Sequence, residues 1–221
     1  MLQPRVSDAD IRGMGVELFT DSFLSAVQSM INRHHTIYPR LPPQGLFFEA
    51  LVEQAFLEAG WAKNEVVATT PNSPWHDVLV GGVKLSIKSE TGKATRTAKV
   101  SITKLCTAET GEWNAAALVL HALNHLNRYN RILMLRAIWR EKRFDYQLLE
   151  VPLGLLRKIK NATFRDVGTR SGRRSLAADV LDGPEKIFRV HFDGADGKCQ
   201  IHGLLLSRCK MLRSWQQPFP P

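Results

Sequence analysis

The chain has 221 residues, 44% of them apolar and 23% charged. That length and balance suit a single domain with a sizeable core, and exclude wholesale disorder, a collagen-like or coiled-coil rod and a disulfide-stapled miniprotein. Thirty Lys and Arg against twenty-one Asp and Glu leave a net charge of +9, which favours a polyanionic partner, nucleic acid before others.

In chain order, Ser7 suits an N-cap for a helix running to about Asn32, with Val16, Phe19, Phe23, Leu24, Val27, Met30 and Ile31 at helical spacing. Pro39, Pro42 and Pro43 break it, so His34 and His35 are expected at a solvated helix end. A second helix over 46–59 carries Phe48, Leu51, Val52, Ala55 and Ala59 in one apolar stripe with Glu49 and Glu53 beside it, and ends at Gly60. Three short strands follow at 65–68, 77–80 and 83–89, with Pro71 and Pro74 in the first loop. Residues 113–127 read as a helix with His121 and His125 as a surface pair, and 131–140 and 144–151 as two strands. Beyond Pro152 come a short helix to about Lys160, a Gly/Arg/Ser-rich loop over 165–175 and a hairpin of 187–192 and 198–206. The hairpin's turn, Asp193-Gly194-Ala195-Asp196-Gly197, lacks the later oxygens of a calcium loop, and residues 218–221 read as a frayed tail. The order helix, strands, helix, strands is an α/β pattern.

Two negative signs bound the setting. Cys106, Cys199 and Cys209 are odd in number and lack zinc-ligand spacing, so they read as packing residues in a reducing compartment. No apolar run reaches the ~20 residues of a membrane helix and the first ten residues lack signal-peptide form, so a cytoplasmic location without a membrane partner is expected.

The segment from His76 to Glu90 carries the chemistry. Gly81-Gly82 is a two-residue turn signal, because such turns need positive φ. Closing the hairpin there sets Val80 against Val83, Leu79 against Lys84, Val78 against Leu85 and Asp77 against Ser86. Val78, Val80, Val83, Leu85 and Ile87 then share one apolar face, while Asp77, Ser86 and Lys88 converge on the other. Phosphodiester hydrolysis uses such a set: a carboxylate for Mg²⁺, a bound water as nucleophile, and a cation beside water and phosphate.

Asp77, eight residues, then Ser86-Ile87-Lys88 resembles the signature of the PD-(D/E)XK nuclease superfamily, which includes most type II restriction endonucleases. The resemblance covers about half the chain. It implies a restriction-endonuclease-like α/β (α+β) fold: a helix, a three-stranded meander, a helix and a further strand, giving a mixed central sheet flanked by helices. To this the sequence adds a C-terminal β-hairpin extension. The whole of 1–221 is expected to be one nuclease domain, with the catalytic core at 44–151 and DNA-recognition elements at 1–40 and 152–215.

The resemblance assigns Mg²⁺ binding to Asp77, with Glu49 in the first core helix and the Ile87 carbonyl assisting, and water activation or positioning to Lys88. Two positions depart from the family pattern. His76 stands where the family has proline, and Ser86 stands where it has a second acidic ligand; a hydroxyl binds Mg²⁺ more weakly. Glu49 is the first candidate for the compensating carboxylate, followed by Glu90, Glu109 and Glu112.

The stretch 128–175 holds thirteen basic and four acidic residues, which is the whole net excess. Within it Arg165, Arg170, Arg173 and Arg174 suit contacts to phosphate or guanine, and Lys198, Gln200 and His202, with His191, could line a ribbon that enters the major groove. The expected function is a Mg²⁺-dependent type II restriction endonuclease cutting double-stranded DNA at a specific short sequence. Its alternatives are a nicking DNA-repair endonuclease of the same superfamily and a DNA-binding protein that has lost catalysis. A homodimer is expected, since two equivalent sites most simply cut a symmetric duplex.

Overall fold

The computed structural model describes residues 17–69, 76–108, 111–170 and 173–219, without the side chains of Thr169 and Arg170. Ser7, Val16, Pro71, Pro74, Glu109 and the Arg170 side chain lie outside that description. The first described helix, α1 (Asp21–Ile37), begins where the Thr20 hydroxyl accepts the Phe23 N–H at 3.3 Å, and runs past Asn32 almost to Pro39. Helix α2 (Leu46–Glu58) packs on it through Phe23 and Phe56, whose rings stack 4.1 Å apart. Strands β1 (Val66–Ala68), β2 (Val78–Val80) and β3 (Val83–Glu90) form the expected meander.

A strand absent from the sequence reading, β4 (Lys99–Thr107), precedes helix α3 (Ala115–Leu126), after which come β5 (Arg131–Trp139) and β6 (Arg143–Val151). A one-turn helix, α4 (Leu153–Leu156), and a 3₁₀ turn (Arg157–Asn161) lead into β7 (Arg165–Arg170), β8 (Arg173–Asp182), β9 (Glu185–Phe192), β10 (Lys198–Leu205) and β11 (Lys210–Pro218).

These strands build two sheets. The first has the order β1-β2-β3-β5-β6-β11 with one parallel pair, β3 and β5; the second, β4-β10-β9-β8-β7, is antiparallel throughout. The first sheet is covered on both faces. On β5, Leu133, Leu135 and Ala137 join the core under α1 and α2, whereas Ile132 and Met134 join the core shared with α3 and the second sheet. A strand buried on both sides needs a near-continuous apolar run, which Arg131–Trp139 supplies.

Several expectations change. The C-terminal extension is a five-stranded sheet that recruits β4, rather than a hairpin alone. The segment 165–175 is the β7–β8 strand pair instead of a loop, with a bulge between Asp166 and Thr169 where Gly168 takes φ 130°. Pro218 is no frayed end: it closes β11, which pairs with β6 from Glu150 to Arg143. Neither histidine pair is solvated. His34 bonds the Leu41 carbonyl at 2.8 Å, buried His35 bonds the Tyr146 hydroxyl at 2.7 Å, and His121 bonds the Thr107 carbonyl at 2.9 Å. No described helix is long and apolar enough to cross a membrane.

Candidate active site

The β2–β3 hairpin has the register that Gly81-Gly82 implies. Val80 pairs with Val83, Leu79 with Lys84 and Val78 with Leu85, and both glycines have positive φ, 52° and 83°. Val78, Val80, Leu85 and Ile87 are buried in the core beneath α1 and α2, with Val83 packed against it. The opposite face carries Ser86, fully buried, and the partly buried Lys88.

Pairing of β2 ends at Val78, whereas β3 continues to Glu90 against β5. At this fork the Ile87 N–H goes to a side chain, the Asp77 carboxylate, at 2.5 Å. The same oxygen, Oδ2, accepts from the Ser86 hydroxyl at 3.3 Å and lies 3.7 Å from Lys88 Nζ. All three contacts fall on Oδ2, so Oδ1 is the oxygen left to a ligand. The Asp77 backbone is held in turn by Thr69, whose N–H bonds its carbonyl at 3.1 Å and whose hydroxyl bonds the His76 carbonyl at 2.5 Å.

Glu49, in the first turn of α2, lies close enough to Asp77 and Lys88 for their charges to act on it. Burial raises its pKa, the Asp77 charge raises it further, and Lys88 opposes. The other candidate carboxylates point elsewhere. Glu90 is committed to the fully buried Arg136 at 2.7 Å, and Glu112 accepts from the Asn114 amide at 2.8 Å at the start of α3. The structure therefore brings together Asp77, Ser86, Lys88 and Glu49, with the Ile87 backbone, and sets Glu90 and Glu112 aside.

No cluster of three or more His, Cys, Asp or Glu side chains suited to a metal occurs among the described residues. Two carboxylates with a neutral oxygen still fit Mg²⁺, which keeps several waters and takes one or two carboxylates. Sequence reasoning missed the floor of this site, Tyr129 and His125. Buried Tyr129 hydrogen-bonds His125 Nε2 and sits beside Ser86 and Asp77, while Asn130 pins this turn to the hairpin through two 2.8 Å bonds with the Lys84 backbone. The signal was present only as a His and a Tyr four residues apart, with Tyr129 just beyond the end of α3.

The predicted DNA-contacting residues lie on the second sheet. Arg173 stacks on Trp113 with 4.7 Å to the ring centre, and Arg174 pairs with Asp166 at 2.7 Å. Arg165 opposes Ala177 in the β7–β8 pair. On β9 and β10, Gln200 lies between His191 and His202, at 3.2 and 3.1 Å, and Lys198 pairs with Asp196 at 2.5 Å. Much of the basic stretch is neutralised locally, since Arg131 pairs with Glu150, Arg136 with Glu90, Arg140 and Arg143 with Asp145, and Lys158 with Asp182.

The sequence of the SmaI family, described as type II site-specific deoxyribonuclease, matches residues 8–217. The type II restriction enzyme SmaI of Serratia marcescens is 30% identical over 209 residues, covering 93% of this chain and 83% of that enzyme. No solved structure matches significantly.

Proposed function

Because the chain belongs to the SmaI family of type II site-specific deoxyribonucleases, we propose that it cuts both strands of duplex DNA at a short specific sequence by Mg²⁺-assisted hydrolysis, with a PD-(D/E)XK-type site at the β2–β3 fork. The observation that carries this reading is the convergence of Asp77, Ser86 and Lys88 on the polar side of a hairpin whose other side is packed in the core beneath α1 and α2. Asp77 and Glu49 would hold Mg²⁺, with the Ser86 oxygen and the Ile87 carbonyl completing its protein shell. When bound, the ion would lower the pKa of a water and offset charge on the phosphate.

The chain's own residues have distinct tasks. Asp77 is aimed by the Ile87 N–H, so its free oxygen is placed before any ligand arrives. Lys88, anchored 3.7 Å from Asp77, directs an ammonium at the attacking water and the scissile phosphate. The pKa of Glu49 is raised first by burial and then by the Asp77 charge, and a divalent cation beside the two carboxylates would favour the charged form. Arg165, Arg170, Arg173, Arg174, Lys198, Gln200 and His202 would serve recognition and backbone contact from the second sheet, and a homodimer would supply a site for each strand.

The test is incubation of plasmid and phage DNA with the protein and Asp77→Ala, in Mg²⁺ and in EDTA. Discrete bands that require Mg²⁺ and vanish in the variant support the reading. Open circles alone would indicate a nicking enzyme, and full cleavage by the variant would move the site.

A further inference from the structure

Much of the positive charge in 128–175 is met by carboxylates, and the segment that follows β3 is the opposite case. From Thr91 to Ala108 the chain holds Lys93, Arg96, Lys99 and Lys104 and no acidic residue. All four are exposed, and among the described residues none of them makes an ion pair. Lys93, Arg96 and Lys99 fall within one short connection and the first residue of β4, where like charges repel one another and a polyanion relieves the repulsion.

This connection, 91–98, is fixed from inside the fold. Fully buried Arg136 stands opposite Glu90 in the β3–β5 pair and donates to the Glu90 carboxylate at 2.7 Å, to the Lys99 carbonyl at 2.7 Å and to the Arg96 carbonyl. The Trp139 indole N–H donates to the Thr91 carbonyl at 2.8 Å, and the Leu206 N–H to the Ala98 carbonyl at 3.1 Å. Thr95 closes a turn by giving its hydroxyl and its N–H to the Gly92 carbonyl, at 2.7 and 3.0 Å. Lys93 Nζ is held 5.6 Å from the centre of the Trp139 ring.

The carbonyls of the loop are therefore spent on the protein, whereas the N–H groups of Lys93, Arg96 and Thr97 have no acceptor among the described residues. What remains for a ligand is a set of donors and cations. A DNA backbone offers the complement, a row of anionic acceptors, and a loop ordered beforehand loses little entropy on meeting it. Its place is also informative. Glu90 is two residues beyond Lys88 on the same face of β3, ~7 Å along the strand, so the loop starts where the catalytic face ends.

We propose that Lys93, Arg96 and Lys99 grip the phosphates that flank the scissile one, on a loop that buried Arg136 holds against the end of β3. The inference rests on the site reading given above. It adds a second DNA-contacting surface, beside the site and separate from the β7–β8 face, that binds the backbone without reading sequence.

The full-length protein tests this as the triple variant Lys93→Gln, Arg96→Gln and Lys99→Gln. Lys63→Gln, an exposed lysine beyond the far end of α2, is the charge control, and thermal melting confirms that each variant is folded. The first readout is binding to duplex DNA in EDTA across a salt series. Each phosphate contact contributes about 0.9 to the slope of log K on log salt, so the slope of the triple variant should be shallower by ~2–3, with binding about tenfold or more weaker at ~0.1 M salt. Lys63→Gln should keep the parent slope. The second readout uses short duplexes carrying a neutral methylphosphonate at one phosphate beside the mapped cut. That linkage should weaken binding by the parent protein and leave the triple variant nearly unaffected, because a contact already lost is not lost twice.

A parent-like slope in the triple variant, a slope that falls as much per charge in Lys63→Gln, or methylphosphonate losses that add fully to those of the variant would overturn the inference. Asp77→Ala separates the two levels. If it cleaves like the parent protein, the site reading itself falls; if it is inactive while the triple variant keeps the parent slope, only the loop assignment falls.

Discussion

Replacing Asp77 by Asn keeps the shape of the side chain and removes its charge, so it isolates what the carboxylate does. In the folded protein Asp77 Oδ2 faces the Ile87 N–H at 2.5 Å and Lys88 Nζ at 3.7 Å, with the two side chains 23% and 19% exposed. At an effective dielectric of ~20 the ion pair is worth about 4.5 kcal/mol before desolvation, and rehydrating a partly buried carboxylate returns most of that. The amide oxygen still accepts from Ile87, at roughly half the strength of a charged acceptor. The net cost should be about 1–2 kcal/mol, or a melting point lower by roughly 2–8 °C for a chain of this size. A domain with ~5–15 kcal/mol of stability remains almost wholly folded at 25 °C after such a loss. Cleavage should nevertheless fall by ~10³-fold or more, equivalent to about 4 kcal/mol of transition-state stabilisation. Single-turnover plasmid cleavage beside a melting curve checks both quantities. Cleavage within tenfold of the parent protein would refute the assignment of Asp77, and a melting point lower by more than ~15 °C would show that its role is mainly structural.

Lys88→Ala should abolish cleavage while leaving DNA binding in EDTA within about twofold, as read by gel shift across a salt series. Glu49→Gln should also lose cleavage, and its stability should depend on pH in a defined direction. A carboxyl whose pKa is raised by folding stabilises the native state below its ordinary pKa of 4.5, and that contribution is lost as pH rises through the folded value. The melting point of the variant relative to the parent should therefore rise between about pH 4 and 7; a flat or falling difference contradicts the burial and repulsion described. Arg136→Met should cost about 3–5 kcal/mol in chemical denaturation, since it strands Glu90 and Gln147 and releases the Arg96 and Lys99 carbonyls, all bound by a fully buried guanidinium. Gly81→Ala should lower the melting point measurably, because φ is 52° there and the new methyl would sit 2.6 Å from the Trp61 ring.

The hairpin was legible because three local signals agree. Gly81-Gly82 fixes the turn, alternation fixes the buried face, and together they fix which polar residues meet across the strands. Helix α2 was legible for the same kind of reason, with its stripe and Gly60 marking face and end. Of the second sheet only the β9–β10 hairpin was legible, because the other strands break the alternation that reveals a strand. β4 and β10 pair with two register shifts, β7 and β8 with one, and β8 and β9 with one at Val180/Leu181. A bulge inverts the inward and outward positions on one side of itself, so the apolar period disappears from the sequence while the ladder persists. His34 and His35 were misjudged from the proline break that follows them. His35 reaches the core because Tyr146, 111 residues away, offers a hydroxyl there, and nothing near His35 in the chain signals that partner.

The compositional argument for DNA needs the same correction, and the correction sharpens where binding energy can come from. The excess of positive charge in 128–175 pointed to one basic segment, yet Arg131, Arg136, Arg140, Arg143, Lys158 and Arg174 are all paired with carboxylates. Pairs that are partly buried, such as Arg131 with Glu150, hold strands together and contribute little field outside. Exposed pairs such as Arg174 with Asp166 are worth little by themselves, so exchanging a carboxylate for a phosphate there costs little. The exchange makes a prediction of its own. Asp166→Asn, which removes the internal competitor, should tighten DNA binding at low salt and steepen its salt dependence, whereas Glu150→Gln should destabilise the fold without either effect. Equal salt slopes in the parent protein and Asp166→Asn would mean that the β7–β8 face does not meet the duplex.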